Sequence, residues 1–169
     1  PASGETGCVV TNGMSNYARD GKNADSALIV PVGKRDFKSD DVLAGVEFQR
    51  TIERKAFARS GDYSAPVQRV EDFLSGRATR AFGEVYPTYP GVCLCKTDGI
   101  LPECVIGVLK AAIPDMNKRL KGFASPDALL TFAESRTSSP VRIERDELMV
   151  SPSAHNLYPC GEGAGYAGG

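Results

Sequence analysis

The C-terminal segment constrains this chain more than any other feature. A short apolar run, Leu157-Tyr158-Pro159-Cys160, leads to Glu162 between two glycines, and four of the last seven residues are Gly. A glycine-dense loop beside an acid lets the backbone approach a ligand, and a helix beginning near Ala164 would aim free N–H groups at it. The pattern predicts a strand-to-helix cofactor loop, with a glycine-rich surface turn as the alternative. Because Gly has the most backbone entropy to lose, residues 161–169 are expected to be weakly anchored.

The charge balance and the lack of long apolar runs narrow the class of protein. The 169 residues include 20 basic and 21 acidic ones, well mixed, for a net charge of −1. This balance gives no reason to expect a nucleic-acid or membrane surface, and no apolar stretch approaches the ~18 residues of a membrane span. The chain opens without an initiator Met or a signal segment. We therefore expect a piece of a larger cytoplasmic enzyme.

The cysteines indicate neither a disulfide framework nor a metal site. There are five, at positions 8, 93, 95, 104 and 160. An odd count with this spacing is not typical of a secreted protein. Zinc requires four ligands, and Cys93-x-Cys95 with Cys104 has no fourth ligand close in the chain. The prediction is free thiols and no metal.

Hydrophobic spacing predicts an α+β (mixed α/β) fold, with a short, mostly antiparallel sheet and about three packed helices. The helices are expected at residues 40–60, 65–75 and 102–113, the last broken by Pro114. The strands are expected at residues 8–11, 26–32, 141–143 and 148–150. The segment beyond Leu129 is ambiguous: a strand is favoured, with a helix as the alternative. Residues 81–95, rich in proline and aromatic residues, indicate an extended arm.

Two further polar clusters could bind a ligand. Residues 134–142 hold Arg136, Arg142, Thr137 and three serines, a set suited to a carboxylate or phosphate. A solvated strand end is the alternative. The long polar loop that contains Asn12 and Arg19 is either functional or merely exposed.

Several segments together resemble the bacterial FAD-dependent dehydrogenases, also labelled NAD-utilising dehydrogenases. The resemblance covers nearly the whole chain, and its most specific parts are residues 136–143 and 158–169. The other matching segments are residues 10–15, 18–24, 47–50 and 66–74.

The resemblance implies an inserted, substrate-side domain of a two-domain flavoprotein. Residues 1–156 would form that inserted domain. Residues 157–169 would be the start of the segment in which the chain re-enters the FAD-binding domain. Gly161-Glu162-Gly163-Ala164 would meet the ribityl chain of FAD. Gly165, Gly168 and Gly169 would lie at the start of the helix that points at the isoalloxazine ring of FAD. The partners implied are the N-terminal Rossmann unit and the C-terminal remainder of the same polypeptide.

The function implied is two-electron transfer between a small-molecule substrate and FAD, with NAD(P) as a candidate electron donor or acceptor. Arg136 and Arg142 would orient an anionic substrate or stabilise reduced flavin. Thr137, Asn12 and Arg19 are the remaining candidate site residues. The alternative is a module without redox chemistry, which binds an anionic ligand or has a purely structural role.

Overall fold

The computed structural model describes residues 5–13 and 16–165. In these residues four α-helices and a three-stranded sheet form, which confirms the α+β class. The helices are α1 (Lys34–Phe37), α2 (Ala44–Ser60), α3 (Val70–Ser75) and α4 (Glu103–Arg119). The strands are β1 (Ala65–Arg69), β2 (Val92–Leu94) and β3 (Leu129–Thr131), and a 3₁₀ helix spans Glu162–Ala164. Within the described ranges, no helix is both long and apolar enough to cross a membrane.

The chain divides into two compact units. Unit 1 holds the described residues of Pro1–Pro31 together with Arg50–Ser135, and unit 2 holds Val32–Gln49 together with Arg136–Gly169. The division passes through α2, so that helix contributes its first six residues to unit 2 and the remainder to unit 1. Each unit is therefore built from segments that are distant in sequence.

The sheet of unit 1 has the order β2-β1-β3 and is mixed rather than mostly antiparallel. Strand β1 pairs in parallel with β2, in the register Pro66 to Cys93, and antiparallel with β3, in the register Gln68 to Leu130. The first four residues of β1 are buried. Both neighbours of β1 are short, so the sheet is small and this central strand carries its core.

The helix predicted at residues 65–75 is wrong in its first half, where β1 forms. Val67, Val70 and Leu74 repeat at helical spacing, and Pro66 suits a first helical turn, so the local pattern favoured a helix. The structure instead pairs β1 on both sides, and α3 begins only at Val70. Long-range strand pairing decided the conformation.

The predicted break at Pro114 is also wrong, because α4 continues to Arg119. Proline removes one helical hydrogen bond and costs roughly 3 kcal/mol in a helix interior. Val105, Leu109 and Ile113 are buried on one face at intervals of four residues. Packing of that stripe holds the helix on both sides of the proline.

Other elements agree in part with the sequence. Strand β3 is confirmed, and α2 confirms the first predicted helix, although it begins at Ala44 rather than near residue 40. The Asp41 carboxylate accepts a hydrogen bond from the Leu43 N–H at 2.7 Å, so a turn precedes the helix. No strand forms over residues 26–32, 141–143 or 148–150, and residues 8–11 make only an isolated bridge at Val10. Residues 26–32 are mostly exposed and lie beside no partner strand.

Unit 2 contains α1, the first residues of α2, and the largely irregular chain from Arg136 onward. The rings of Phe37 and Phe48 pack with their centroids 5.4 Å apart, which fastens α1 to α2. The 3₁₀ helix Glu162–Ala164 lies in this unit, so unit 2 carries the acidic glycine-rich segment.

Candidate functional site

The two most specific sequence segments lie side by side in unit 2. The backbone N–H of Ile143 donates a hydrogen bond to the carbonyl oxygen of Gly163 at 2.6 Å. The segment around Arg142 is thereby joined to the acidic turn, although 20 residues separate the bonded pair in sequence. We regard this pairing as the nucleus of the candidate site.

Gly163 permits the close approach of these segments. A Cβ atom at this position would stand 3.0 Å from Ser139 Oγ and 3.3 Å from the carbonyl oxygen of Val141. The Ser139 hydroxyl is itself fixed, since it donates to that same carbonyl at 2.8 Å. A side chain at 163 would therefore be crowded, and Ser139 or Val141 would have to shift by a few tenths of an ångström.

The acidic turn is a single 3₁₀ turn bounded by two glycines with positive φ angles. Gly161 precedes it with φ 89° and Gly165 ends it with φ 93°. The N–H of Ala164 donates to the Gly161 carbonyl at 3.1 Å, and the Ala164 side chain is buried. L-residues with a side chain rarely adopt these φ values, so the turn requires glycine at both ends. Burial of Ala164 gives the described part of this segment one packing contact, while Gly161, Glu162 and Gly165 are exposed.

A wall behind the site is supplied by the first turns of α2. A Cβ atom on buried Gly45 would lie 2.7 Å from the carbonyl oxygen of Pro140 and 2.9 Å from its Cβ atom. Gln49, one turn later, donates its side-chain amide to the Ser138 carbonyl at 3.4 Å. Residues 138–140 are thus held against the helix from one side and touch Gly163 from the other.

These contacts leave an open groove of about 540 Å³. Its lining consists of Ser138, Ser139, Pro140, Val141, Arg142, Glu162, Gly163 and Gly165. Arg142 and Glu162 are both exposed. Within residues 5–13 and 16–165, neither of these two side chains has a hydrogen-bond or ion-pair partner. One cation and one anion are therefore available to a ligand in the same groove.

The structure brings together only part of the predicted site. Arg142, Glu162, Gly163 and Gly165 line the groove, while Gly161 and Ala164 belong to the turn that shapes it. Gly168 and Gly169 lie outside the described residues.

Four further candidates do not line the groove. Arg136 and Thr137 are exposed in the stretch that precedes it. Asn12 and Arg19 belong to unit 1. The Asn12 backbone is clamped by the Tyr89 hydroxyl, which accepts from its N–H at 2.7 Å and donates to its carbonyl at 2.5 Å.

Two residues near the site, Gly45 and Arg145, were not predicted from the sequence. Gly45 lies inside a predicted helix, where nothing in the local pattern distinguishes a packing glycine from a tolerated one. Arg145 follows Glu144 and precedes Asp146, as in an ordinary solvated run of charges. Its side chain instead donates from Nη1 to the carbonyl oxygen of Pro159 at 3.2 Å. Only the tertiary contact reveals it.

The groove can bind hydroxyl and anionic groups of a ligand. The Glu162 carboxylate can accept hydrogen bonds from hydroxyls, and the Arg142 guanidinium can donate to a carboxylate, a phosphate or an electron-rich ring edge. A glycine-bounded turn also allows a ligand to approach the backbone closely. No two of the five cysteines form a disulfide, and the described part of the chain groups no three potential metal ligands together.

The fold and the groove define an α+β domain with a glycine-bounded acidic turn, and sequence comparison gives the family. The family model described as "FAD-dependent protein, C-terminal domain-like" matches residues 1–137. The chain therefore belongs to this family of FAD-dependent proteins. The matched residues end just before the groove lining begins at Ser138.

A relative from Clostridium beijerinckii, described only as an uncharacterized protein, extends the similarity across the groove. It is 47% identical over 170 residues, which cover 99% of this chain and 32% of the relative. The chain thus spans about a third of the length of that relative.

Proposed function

We propose that this chain is part of an FAD-dependent oxidoreductase and that the unit 2 groove contacts the flavin. The observation that carries the proposal is the Ile143–Gly163 pairing, which places an unpaired arginine and an unpaired glutamate in one groove. Membership of an FAD-dependent family supports the cofactor. The relative's greater length supports a longer polypeptide, called here the full-length parent.

The groove residues fit the polar parts of FAD. Glu162 would accept hydrogen bonds from ribityl hydroxyls, and the glycine-bounded turn would let the cofactor reach the backbone beside Gly163 and Gly165. Arg142 would orient an anionic substrate or an electron-rich edge of the cofactor. When bound, the flavin supplies the two-electron chemistry, while the chain supplies position and charge.

We further propose the division of labour in the parent. Residues 1–156 form the substrate-side domain, and residues 157–169 return to the FAD-binding domain, with the segment around Ile143 packed onto that return. The partners of this chain are then the remaining N- and C-terminal parts of the polypeptide and a small-molecule substrate. NAD(P) is the proposed electron donor or acceptor, and the proposed compartment is the cytoplasm.

The test uses Glu162→Gln in the full-length parent, with Glu144→Gln as the matched control. Glu144 is exposed and has no described hydrogen bond or ion pair, so its substitution should leave flavin binding unchanged. Loss of a charged hydrogen-bonding group in Glu162→Gln should weaken FAD binding by roughly 1–3 kcal/mol. Flavin content and Kd of the folded variants are the measurements. Equal Kd values for Glu162→Gln and wild type would remove Glu162 from the site.

The chain by itself should not retain FAD. A pyrophosphate site of this kind requires the strand–helix–strand unit of a dinucleotide-binding domain, and the acidic turn offers only a few N–H donors. Titration of FAD into the purified chain should therefore show no submicromolar binding. Submicromolar affinity would place the whole cofactor site within these 169 residues.

A second candidate function is binding of a small anion without redox chemistry. The observation that favours it is the Arg142 guanidinium, which is exposed and lacks an acidic partner in the described ranges. Under this alternative, a full-length parent without flavin would bind phosphate or a carboxylate, and Arg142→Met would abolish that binding. A flavin-loaded parent favours the oxidoreductase instead.

A further inference from the structure

The Arg145 side chain lies near both the residues that precede the acidic turn and the glycine that ends it. Its Nη1 atom donates to the carbonyl oxygen of Pro159 at 3.2 Å, just before the glycine-bounded turn. Its Nη2 atom lies 4.0 Å from the point that a Cβ atom on Gly165 would occupy, at the other end of the turn. One half-buried guanidinium therefore lies beside both ends of the segment that carries Glu162.

The charge of Arg145 is not neutralised by a carboxylate within the described part of the chain. Other arginines there do pair with carboxylates: Arg50, Arg59, Arg69 and Arg77. Asp146, the next residue, directs its carboxylate into its own turn, where it accepts from the N–H groups of Leu148 and Val150, both at 2.9 Å. Arg145 therefore places a positive charge that no described carboxylate compensates next to the acidic turn and to any ligand bound there.

We infer that Arg145 is a positioning residue that holds the acidic turn in its ligand-ready conformation. A guanidinium carries five N–H donors in a planar fork, and one described hydrogen bond leaves donors free beside Gly165. These donors suit an anionic or electron-rich group of a bound cofactor. The holding of the turn is independent of any cofactor, whereas the effect on ligand affinity rests on the proposed flavin function.

Hydrogen exchange tests the positioning role without a bound cofactor. In the flavin-free full-length parent, the reporters are the N–H groups of Ala164 and Gly165, which donate to Gly161 and Glu162 within the turn. Loss of the charge-assisted bond in Arg145→Met should speed their exchange by about tenfold or more. Arg80→Met is the matched control, since Arg80 is exposed and has no described partner. Unchanged exchange in a folded Arg145→Met variant would overturn the inference.

Flavin affinity tests the consequence for ligand binding. Arg145→Met should raise the Kd for FAD by about tenfold or more, and Arg145→Lys, which keeps the charge but loses the planar fork, should fall between it and wild type. The same Kd in all three proteins would overturn the link to ligand binding. A wild-type parent that binds no flavin would instead refute the proposed function, and the exchange measurement would still decide whether Arg145 positions the turn.

Discussion

Gly45 lies so close to Pro140 that a Cβ atom on the glycine would stand 2.7 Å from the proline's carbonyl oxygen. This contact joins the first turn of α2 to the stretch that lines the groove. Backbone atoms form the obstacle, so a rotamer change cannot relieve it. The shape of the groove therefore depends on a glycine that lies outside every motif recognised in the sequence.

Gly45→Ala should destabilise the protein by about 1–3 kcal/mol, because crowding against backbone outweighs the better helix propensity of Ala. Gly107→Ala is the control. Gly107 lies in α4, is exposed, and a Cβ atom there would meet nothing within 4 Å. That substitution should stabilise by roughly 0.5–1 kcal/mol. Urea unfolding gives both free energies, and a stabilising effect of Gly45→Ala would contradict the described contact.

Tyr89→Phe should release the polar loop that follows Asn12. The tyrosine hydroxyl both accepts from and donates to the Asn12 backbone, so its removal should cost about 1–2 kcal/mol. Faster exchange of the Asn12 N–H should accompany this loss. Tyr86→Phe is the matched control, because that ring is 65% exposed and its contact with Phe82 does not need the hydroxyl. Equal stability of the two variants would show that the clamp contributes nothing.

Cys95 should react slowly with alkylating reagents. Burial first, and then the neighbouring Cys93, raises the pKa of the Cys95 thiol from 9.0 to about 11. At pH 8 the thiolate fraction of Cys95 should be about 100-fold below that of an unshifted thiol. Mass spectrometry after brief treatment with iodoacetamide should therefore find exposed Cys104 and Cys160 modified well before Cys95.

The same shift predicts how stability depends on pH. Between pH 9 and about 11 the unfolded chain releases the Cys95 proton while the folded chain retains it. The unfolded state then binds fewer protons, so the free energy of unfolding falls as the pH rises through this window. Cys95→Ala should show a weaker decline there than wild type. Identical slopes for the two proteins would argue against the raised pKa.

The sequence alone determined features whose cause is local. The α+β class, most of α2 and strand β3 were predicted from hydrophobic spacing. The glycines flanking Glu162 predicted a strand-to-helix loop, with a glycine-rich surface turn as the alternative. The structure has a short 3₁₀ turn there, with positive φ angles at Gly161 and Gly165, and residues 157–160 form no strand. Turn chemistry of this kind depends on the residues within the turn and needs no partner elsewhere in the chain.

Only the tertiary structure decided which segments lie together. Residues 65–69 carry a helical spacing of apolar residues yet form the central strand, because β2 and β3 supply hydrogen-bond partners from distant parts of the chain. The continuation of α4 past Pro114 likewise depends on burial of Ile113. The pairing of Ile143 with Gly163 and the reach of Arg145 to Pro159 create the groove and hold its turn. These arrangements are stabilised by packing and by hydrogen bonds between distant segments, and no local sequence pattern encodes such contacts.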